Sequence, residues 1–355
     1  MIKMRFRYTL GKNGKPVKKA LVYTQDEHHI VQADIDTEAL SILERLRANN
    51  FESYLVGGAV RDLILGKKPK DFDIATEASP NEIKRIFRNS RIIGKRFRLA
   101  HVFFGDKIYE VSTFRSLKDG SSGNTYGTIE EDVLRRDFTL NALFYDSRDE
   151  LVIDYVGGMK DMKEKFIKPI IPLKVIFTDD PVRMVRCLKY AATSGFAIPS
   201  ALKARIKTDA NLLANVSPSR RTEEMMKIIK NPAAPEIVQL IFQYGLYGYL
   251  QNDAARLMQR SSAFYEAYLA SLGQCASGKV CMLEPLISDY LIEENRKGAF
   301  PQSNSAEENW SKAFKLARAF ILPMNPPRVE LEKALTSIMH GMGISSKKPT
   351  RRRHR

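Results

Sequence analysis

The chain has 355 residues, of which 44% are hydrophobic and 28% charged, and its formal net charge is +16. That length suits two or three domains, and the apolar share is enough for a core, which excludes a disordered chain. Three cysteines, Cys187, Cys275 and Cys281, exclude a disulfide framework, and no run approaches ~18 consecutive apolar residues, which excludes a membrane-spanning helix.

The first 20 residues hold seven Lys or Arg and no acid. They read as a mobile basic arm that could include a strand. The arm lacks the apolar centre of a secretory signal, so reduced thiols and a cytoplasmic location are expected. Residues 37–49 read as a helix, because Ala39, Ile42, Leu43 and Leu46 keep helical spacing. A short strand, YLV (54–56), stops at Gly57-Gly58, and AVRDLIL (59–65) reads as a helix. A basic turn around Pro69 leads to a strand at 71–76. Ser79-Pro80-Asn81-Glu82 has the form of a capping box with proline at the first helical position, so a helix starts there. Strands fit at 101–105 and 107–115, and the Gly- and Ser-rich stretch 118–127 is a loop. From 128 onward the pattern is helical apart from a strand at 151–156. It includes helices at 217–229 and 235–250 and a loop at 271–279. The last nine residues hold six Lys or Arg and read as disordered. The fold class is therefore α+β, a small mixed head followed by an all-helical neck and body. Expected boundaries are a basic arm at 1–35, a head at 36–160, a neck at 161–232, a body at 233–343 and a basic tail at 344–355.

Asp71 and Asp73 are two apart on the expected strand, so both carboxylates share a face. A hard cation such as Mg²⁺ takes carboxylate oxygens together with substrate phosphates. A third acid would allow a second ion, and Glu110 is the candidate, on one face of its strand with Ile108 and Ser112. Two ions ~4 Å apart would activate an attacking hydroxyl and stabilise a leaving pyrophosphate. A D-x-D pair at a strand end is also often just solvated. The turn from strand through Gly57-Gly58 into a helix is an anion-binding arrangement, with Arg61 one turn in. By itself it is equally a tight turn with a surface arginine.

Taken together, YLVGGAVRDLILGKKPKDFDIAT resembles the catalytic head of the class II nucleotidyltransferases, the bacterial poly(A) polymerases and CCA-adding enzymes. EEDVLRRDFTLNAL (130–143), FTDDPVRMVRCLKYA (177–191) and VSPSRRTEEMMKII (216–229) resemble further motifs of that family in the family's order. The resemblance covers roughly residues 50–230. It implies a five-stranded head, with Asp71, Asp73 and Glu110 as catalytic acids holding two Mg²⁺ ions. It also implies that Gly57, Gly58 and Arg61 meet the triphosphate, and that Arg136 and Asp137, with Asn141 nearby, meet the ribose and phosphates. Without the family, Arg135-Arg136-Asp137 would read as a surface ion-pair cluster.

Asp180 and Arg183 are three apart at the start of an expected helix, and Arg186 and Lys189 continue that face. An acid accepts hydrogen bonds and a guanidinium donates them. Adenine and cytosine each offer an amino donor and a ring-nitrogen acceptor, whereas guanine and uracil present the opposite polarity. An Asp–Arg pair can therefore select A and C without a template, with Arg186 and Lys189 reaching the phosphates. First-turn acids that complement the helix dipole would look the same. Two residues depart from the family: Asp179 stands where Glu is usual and Lys189 where Arg is usual, both keeping charge. The run IIGKRFRLAHV (92–102) resembles a stretch of bacterial poly(A) polymerases. Its Lys95, Arg96 and Arg98, with Arg351, Arg352 and Arg353 of the tail, suit RNA-backbone contacts. The expectation is a cytoplasmic, monomeric enzyme that adds adenylates from ATP to RNA 3′ ends, with no membrane partner. CCA addition to tRNA is the alternative, and a non-catalytic RNA-binding protein on the same fold is the rival of another class.

Overall fold

The computed structural model describes residues 5–10, 16–94, 98–118, 125–275 and 282–349. The chain divides into two compact units, Met1–Asp179 with Phe196–Pro199, and Asp180–Gly195 with Ser200–Arg355.

The first unit is built on one sheet. Its strands are β1 (Arg5–Leu10), β2 (Pro16–Tyr23), β3 (Ser53–Val56), β4 (Asp73–Thr76), β5 (Ser90–Ile93), β6 (Leu99–Phe104), β7 (Lys107–Thr113), β8 (Leu143–Asp146) and β9 (Leu151–Asp154). The order is β1-β2-β9-β8-β3-β4-β7-β6-β5, a 9-stranded sheet rather than about five. Among the described residues every neighbouring pair is antiparallel except β4 and β7. The extra strands have identifiable sources. Described residues 5–10 and 16–23, expected in a mobile basic arm, form a hairpin that extends the sheet through β2 and β9. Arg7 ties that hairpin down, donating to the hydroxyls of Tyr54 (3.1 Å) and Tyr155 (3.3 Å) and to Glu52 (3.0 Å). β8 falls where the sequence reads as helical.

Helices α1 (Thr37–Ala48), α2 (Gly58–Ile64), α3 (Pro80–Ile86), α4 (Ile129–Leu134) and α5 (Gly158–Lys163) accompany the sheet. The helical spacing in α1 buries Ala39, Ile42, Leu43 and Leu46, as expected. The capping box of α3 is present, with the Glu82 carboxylate accepting from the Ser79 amide at 2.7 Å. One apolar cluster joins Tyr54, Val56, Ala75, Phe114 and Phe144 of the sheet region to Ile129 and Val133 of α4.

The second unit is helical. It includes α6 (Val182–Ser194), α7 (Pro218–Ile229), α8 (Ala234–Gln243) and α9 (Ser262–Cys275), and continues through helices to Gly341. The helix expected at 235–250 is broken at Gly245, whose φ of +74° ends α8. Residues 271–275 of the expected loop continue α9, while 276–279 lie outside the described residues. The aromatic stretch 242–250 packs as core. Tyr247 is fully buried, and its hydroxyl lies 2.7 Å from that of Tyr268, which donates to Gln251.

Candidate active site

In the first unit, β3 ends at Val56 and the chain turns at Gly57 (φ +70°, ψ −132°) into α2. Space does not demand that glycine, since a Cβ there would sit 3.7 Å from Asp73 Oδ2. The left-handed φ does. Asp73 is the first residue of β4 and pairs with Val56 across the register. Asp71 is exposed and precedes the strand, so the expectation of two acids on one strand is corrected: strand pairing begins at Asp73. The buried Phe72 between two more exposed acids still keeps alternate sidedness. β4 and β7 are parallel with Ile74 opposite Val111, so one step back along both strands stand Asp73 and Glu110. Glu110 is half exposed, with its Oε1 3.6 Å from His101 Nε2.

These carboxylates are hard oxygen donors of the kind a divalent cation takes. Among the described residues, however, no three His, Cys, Asp or Glu side chains are grouped so as to hold a metal. The structure thus places Asp73 and Glu110 at neighbouring strand positions, with Asp71 just outside the ladder, and shows no preformed cage.

Arg61, Arg136 and Asn141 come together. Arg61 donates from Nη1 to Asn141 Oδ1 at 2.8 Å, and from Nε and Nη2 to Asp62 Oδ1 at 2.9 and 2.8 Å. Arg136 donates from Nη1 to the Asn141 carbonyl at 3.2 Å, and its guanidinium carbon lies 4.9 Å from the Phe144 ring centre. Nε and Nη2 of Arg136 both bond Asp132 Oδ2, at 3.1 and 2.9 Å. Asp137 is half-buried, and its carboxylate accepts from the Phe138 amide at 2.9 Å. Gly58 starts α2 close by, where an added Cβ would lie 3.5 Å from Arg61 Nη2.

Two supports here went unread in the sequence. Asp132 is buried and sits four residues before Arg136 on the helical side of the same run, a spacing that would have flagged the pair. Asp154 is buried and accepts from the amides of Val156, Gly157, Gly158 and Met159 at 2.8–3.0 Å. That fixes a second strand–Gly-Gly–helix turn, in which Gly158 approaches the Thr139 carbonyl so closely that a Cβ would come within 2.5 Å.

In the second unit, Asp180 and Arg183 are both buried at the start of α6. Asp180 Oδ1 accepts from the Val182 amide at 3.2 Å, and Oδ2 accepts from Arg220 Nη2 at 2.7 Å. Arg186 and Lys189 do share a face: Arg186 donates from Nε and Nη2 to Glu224 Oε1 at 2.9 and 2.7 Å, and Lys189 Nζ lies 3.6 Å from Oε2. Burial opposes charge on Glu224, but Arg186 and Lys189 outweigh it and hold the carboxyl at about 2. Arg220 and Glu224 are one helical turn apart on α7 and were not singled out from the sequence, although their run was.

Of the residues expected to meet RNA, Arg98 is exposed, while Lys95, Arg96, Arg351, Arg352 and Arg353 lie outside the described residues.

Residues 53–168 match the poly A polymerase head domain, and residues 195–258 match the domain described as the probable RNA and SrmB-binding site of polymerase A. The chain belongs to the family of poly(A) polymerases and CCA-adding enzymes. It is 42% identical over 242 residues to poly(A) polymerase I of Escherichia coli O6:H1, covering 64% of this chain and 52% of that protein. It is 35% identical over 235 residues to the CCA-adding enzyme of Geobacillus kaustophilus, covering 64% and 58%. The chain thus spans about half the length of the poly(A) polymerases it matches. Among solved structures, the Bacillus stearothermophilus CCA-adding enzyme in complex with CTP aligns with a TM-score of 0.58 and 28% identity, over 87% of this chain and 83% of that one. This family membership accounts for both the mixed head and the helical second unit. No helix among the described residues is long and apolar enough to cross a membrane.

Proposed function

We propose that this chain is a template-independent nucleotidyltransferase that adds AMP from ATP to RNA 3′ ends, a poly(A) polymerase. The observation that carries the reading is the placement of Asp73, the first residue of β4, and Glu110 of β7 each one step before the paired Ile74 and Val111, with Asp73 beside the Gly57 turn. It puts carboxylates next to the backbone that would approach phosphates. Asp71 and Asp73, with Glu110, would hold Mg²⁺, which lowers the barrier to hydroxyl attack on the α-phosphate and to pyrophosphate departure. Arg61, held by Asn141, donates to the phosphates. Arg136 and Asp137 orient the ribose. Asp180 accepts from the exocyclic amino group of adenine and Arg183 donates to its ring nitrogen, so the protein supplies the pairing edge. Arg186 and Lys189 are already gathered on one carboxylate and offer a concentrated positive site to the triphosphate.

The stronger match to poly(A) polymerase I, 42% against 35% for a CCA-adding enzyme, favours adenylate runs as the product. The Asp–Arg edge fits cytosine as well as adenine, and the similarity to a CTP-bound CCA-adding enzyme keeps CCA addition as the second reading. Incubation with ATP alone, or with CTP plus ATP, on a generic RNA and on tRNA lacking its 3′ end separates them. Long A-runs on generic RNA support the proposal. A stop after CCA on tRNA alone replaces it with the second reading. No incorporation on either RNA removes both.

A further inference from the structure

We infer that Arg220 is a specificity-determining positioning residue, acting through Asp180. The inference rests on the reading of Asp180 as the acceptor for the amino group of the incoming base. The Asp180 carboxylate is anchored at both oxygens, by the Val182 amide on Oδ1 and by Arg220 on Oδ2. Each carboxylate oxygen has two acceptor sites, so an anchor on each still leaves one per oxygen for a base. Two anchors on different oxygens fix the plane of the carboxylate, and with it the direction in which the remaining lone pairs point.

The partners differ in kind. Asp180 is only 6% exposed, whereas the Arg220 side chain is 48% exposed and reaches in from α7. The pair is therefore not a deeply buried core ion pair whose main effect is on folding. With Arg220 gone, Asp180 keeps only a backbone amide at 3.2 Å, and its second oxygen is free to turn. A carboxylate free to reorient no longer aims its lone pairs at the amino group of adenine, so the advantage of adenine over guanine or uracil, which present a carbonyl oxygen there, is reduced. One turn along the same helix, Glu224 gathers Arg186 and Lys189. A single rigid element thus holds the base-reading acid and the phosphate-facing cations in fixed relation.

The test compares single-nucleotide incorporation from ATP and GTP by the full chain. Arg220→Met keeps the aliphatic stem and removes every donor. It should lower the ratio of kcat/KM for ATP to that for GTP by at least 10-fold while leaving kcat with ATP within a few-fold. Arg220→Lys should recover part of the ratio. Adding Arg220→Met to Asp180→Ala should lower the ratio no further than Asp180→Ala alone. A thermal melt reports whether each variant folds, and Arg220→Ala serves as a second donor-free variant. If Asp180→Ala relaxes base choice while both donor-free variants keep the wild-type ratio, the inference is overturned and the reading of Asp180 stands. If Asp180→Ala itself leaves the ratio intact, that reading fails first. A higher KM for RNA with an unchanged ratio would make Arg220 an RNA contact and likewise overturn the inference.

Discussion

Arg61 and Asn141 lie 80 positions apart in the chain, yet Arg61 Nη1 donates to the Asn141 side-chain oxygen at 2.8 Å. The bond fixes one end of the Arg61 guanidinium, while the main-chain carbonyl of Asn141 takes Arg136. One buried residue therefore orders two cations, Arg61 through its side-chain amide and Arg136 through its main-chain carbonyl, and only the first bond is lost in Asn141→Ala. A hydrogen bond to a charged group contributes about 1.5–3 kcal/mol. If that ordering is used to bind the triphosphate, Asn141→Ala should raise KM for ATP by about 10- to 100-fold with kcat little changed. Steady-state incorporation at varied ATP checks this, and an unmoved KM would mean that Arg61 does not need the amide.

Glu224 is the anionic centre of the second unit's charged face. Its carboxyl is held at about 2 in the fold, against an ordinary value of 4.5. Because the folded value is depressed, the stabilisation is fully present above pH 4.5 and is lost as pH falls toward 2, an effect of about 3 kcal/mol. Glu224→Gln removes that contribution and leaves Arg186 and Lys189 facing each other across a neutral amide. Urea unfolding at pH 7 should show a loss of about 3 kcal/mol, and the steep acid dependence between pH 4.5 and 2 should flatten. A variant as stable as the wild type at pH 7 would show that the two cations find other partners.

His28 makes a second prediction of the same sign, at higher pH, in the first unit. The ring is fully buried, with Nδ1 accepting from the Ile30 amide at 3.0 Å. Nε2 must then carry the proton and donate to the Glu150 carbonyl, also at 3.0 Å. Burial lowers the pKa of the ring, against the opposing pull of the Glu150 carbonyl. A histidine that stays neutral in the fold loses stability to the unfolded chain once that chain begins to bind protons. Stability should be flat above about pH 6.5 and decline as pH falls below it. Urea midpoints between pH 8 and pH 5 measure the slope, and His28→Asn should remove part of it.

The elements that were legible in the sequence are those whose local pattern matches their surroundings. α1 has one buried stripe, and α3 carries its own cap and proline. β8 was read as helix because Leu143, Phe144 and Tyr145 are all fully buried, and a strand covered on both faces shows no alternation. The β1–β2 hairpin was obscured by its charge, since its arginines and lysines read as a solvated arm, although Arg7 is spent on Glu52, Tyr54 and Tyr155. In the candidate site, the motifs named the residues but not their partners. Asn141 on Arg61, Arg220 on Asp180 and Glu224 on Arg186 join positions 38 to 80 residues apart, and no local spacing encodes such a pairing.

Gly157 and Gly158 separate two reasons for glycine within one turn. Gly157 has φ of +85°, and an added Cβ would meet nothing within 4 Å. Gly157→Ala therefore costs only the left-handed backbone, about 1–2 kcal/mol. Gly158 is limited by space: its Cβ would come within 2.5 Å of the Thr139 carbonyl oxygen and 3.2 Å of the carbonyl carbon. The obstacle is backbone, so either α5 or the turn Thr139–Asn141 must move. Thr139 is held by the Asp161 carboxylate at 2.8 Å and by the Lys168 carbonyl at 3.0 Å, so a displacement strains both bonds and draws Asn141 away from Arg61. Gly158→Ala should therefore lose about 1–3 kcal/mol of stability and also raise KM for ATP. Gly157→Ala should lower stability without moving KM. Parallel melting and ATP titrations decide it, and equal KM values for the two variants would show that the turn bearing Asn141 does not transmit the clash.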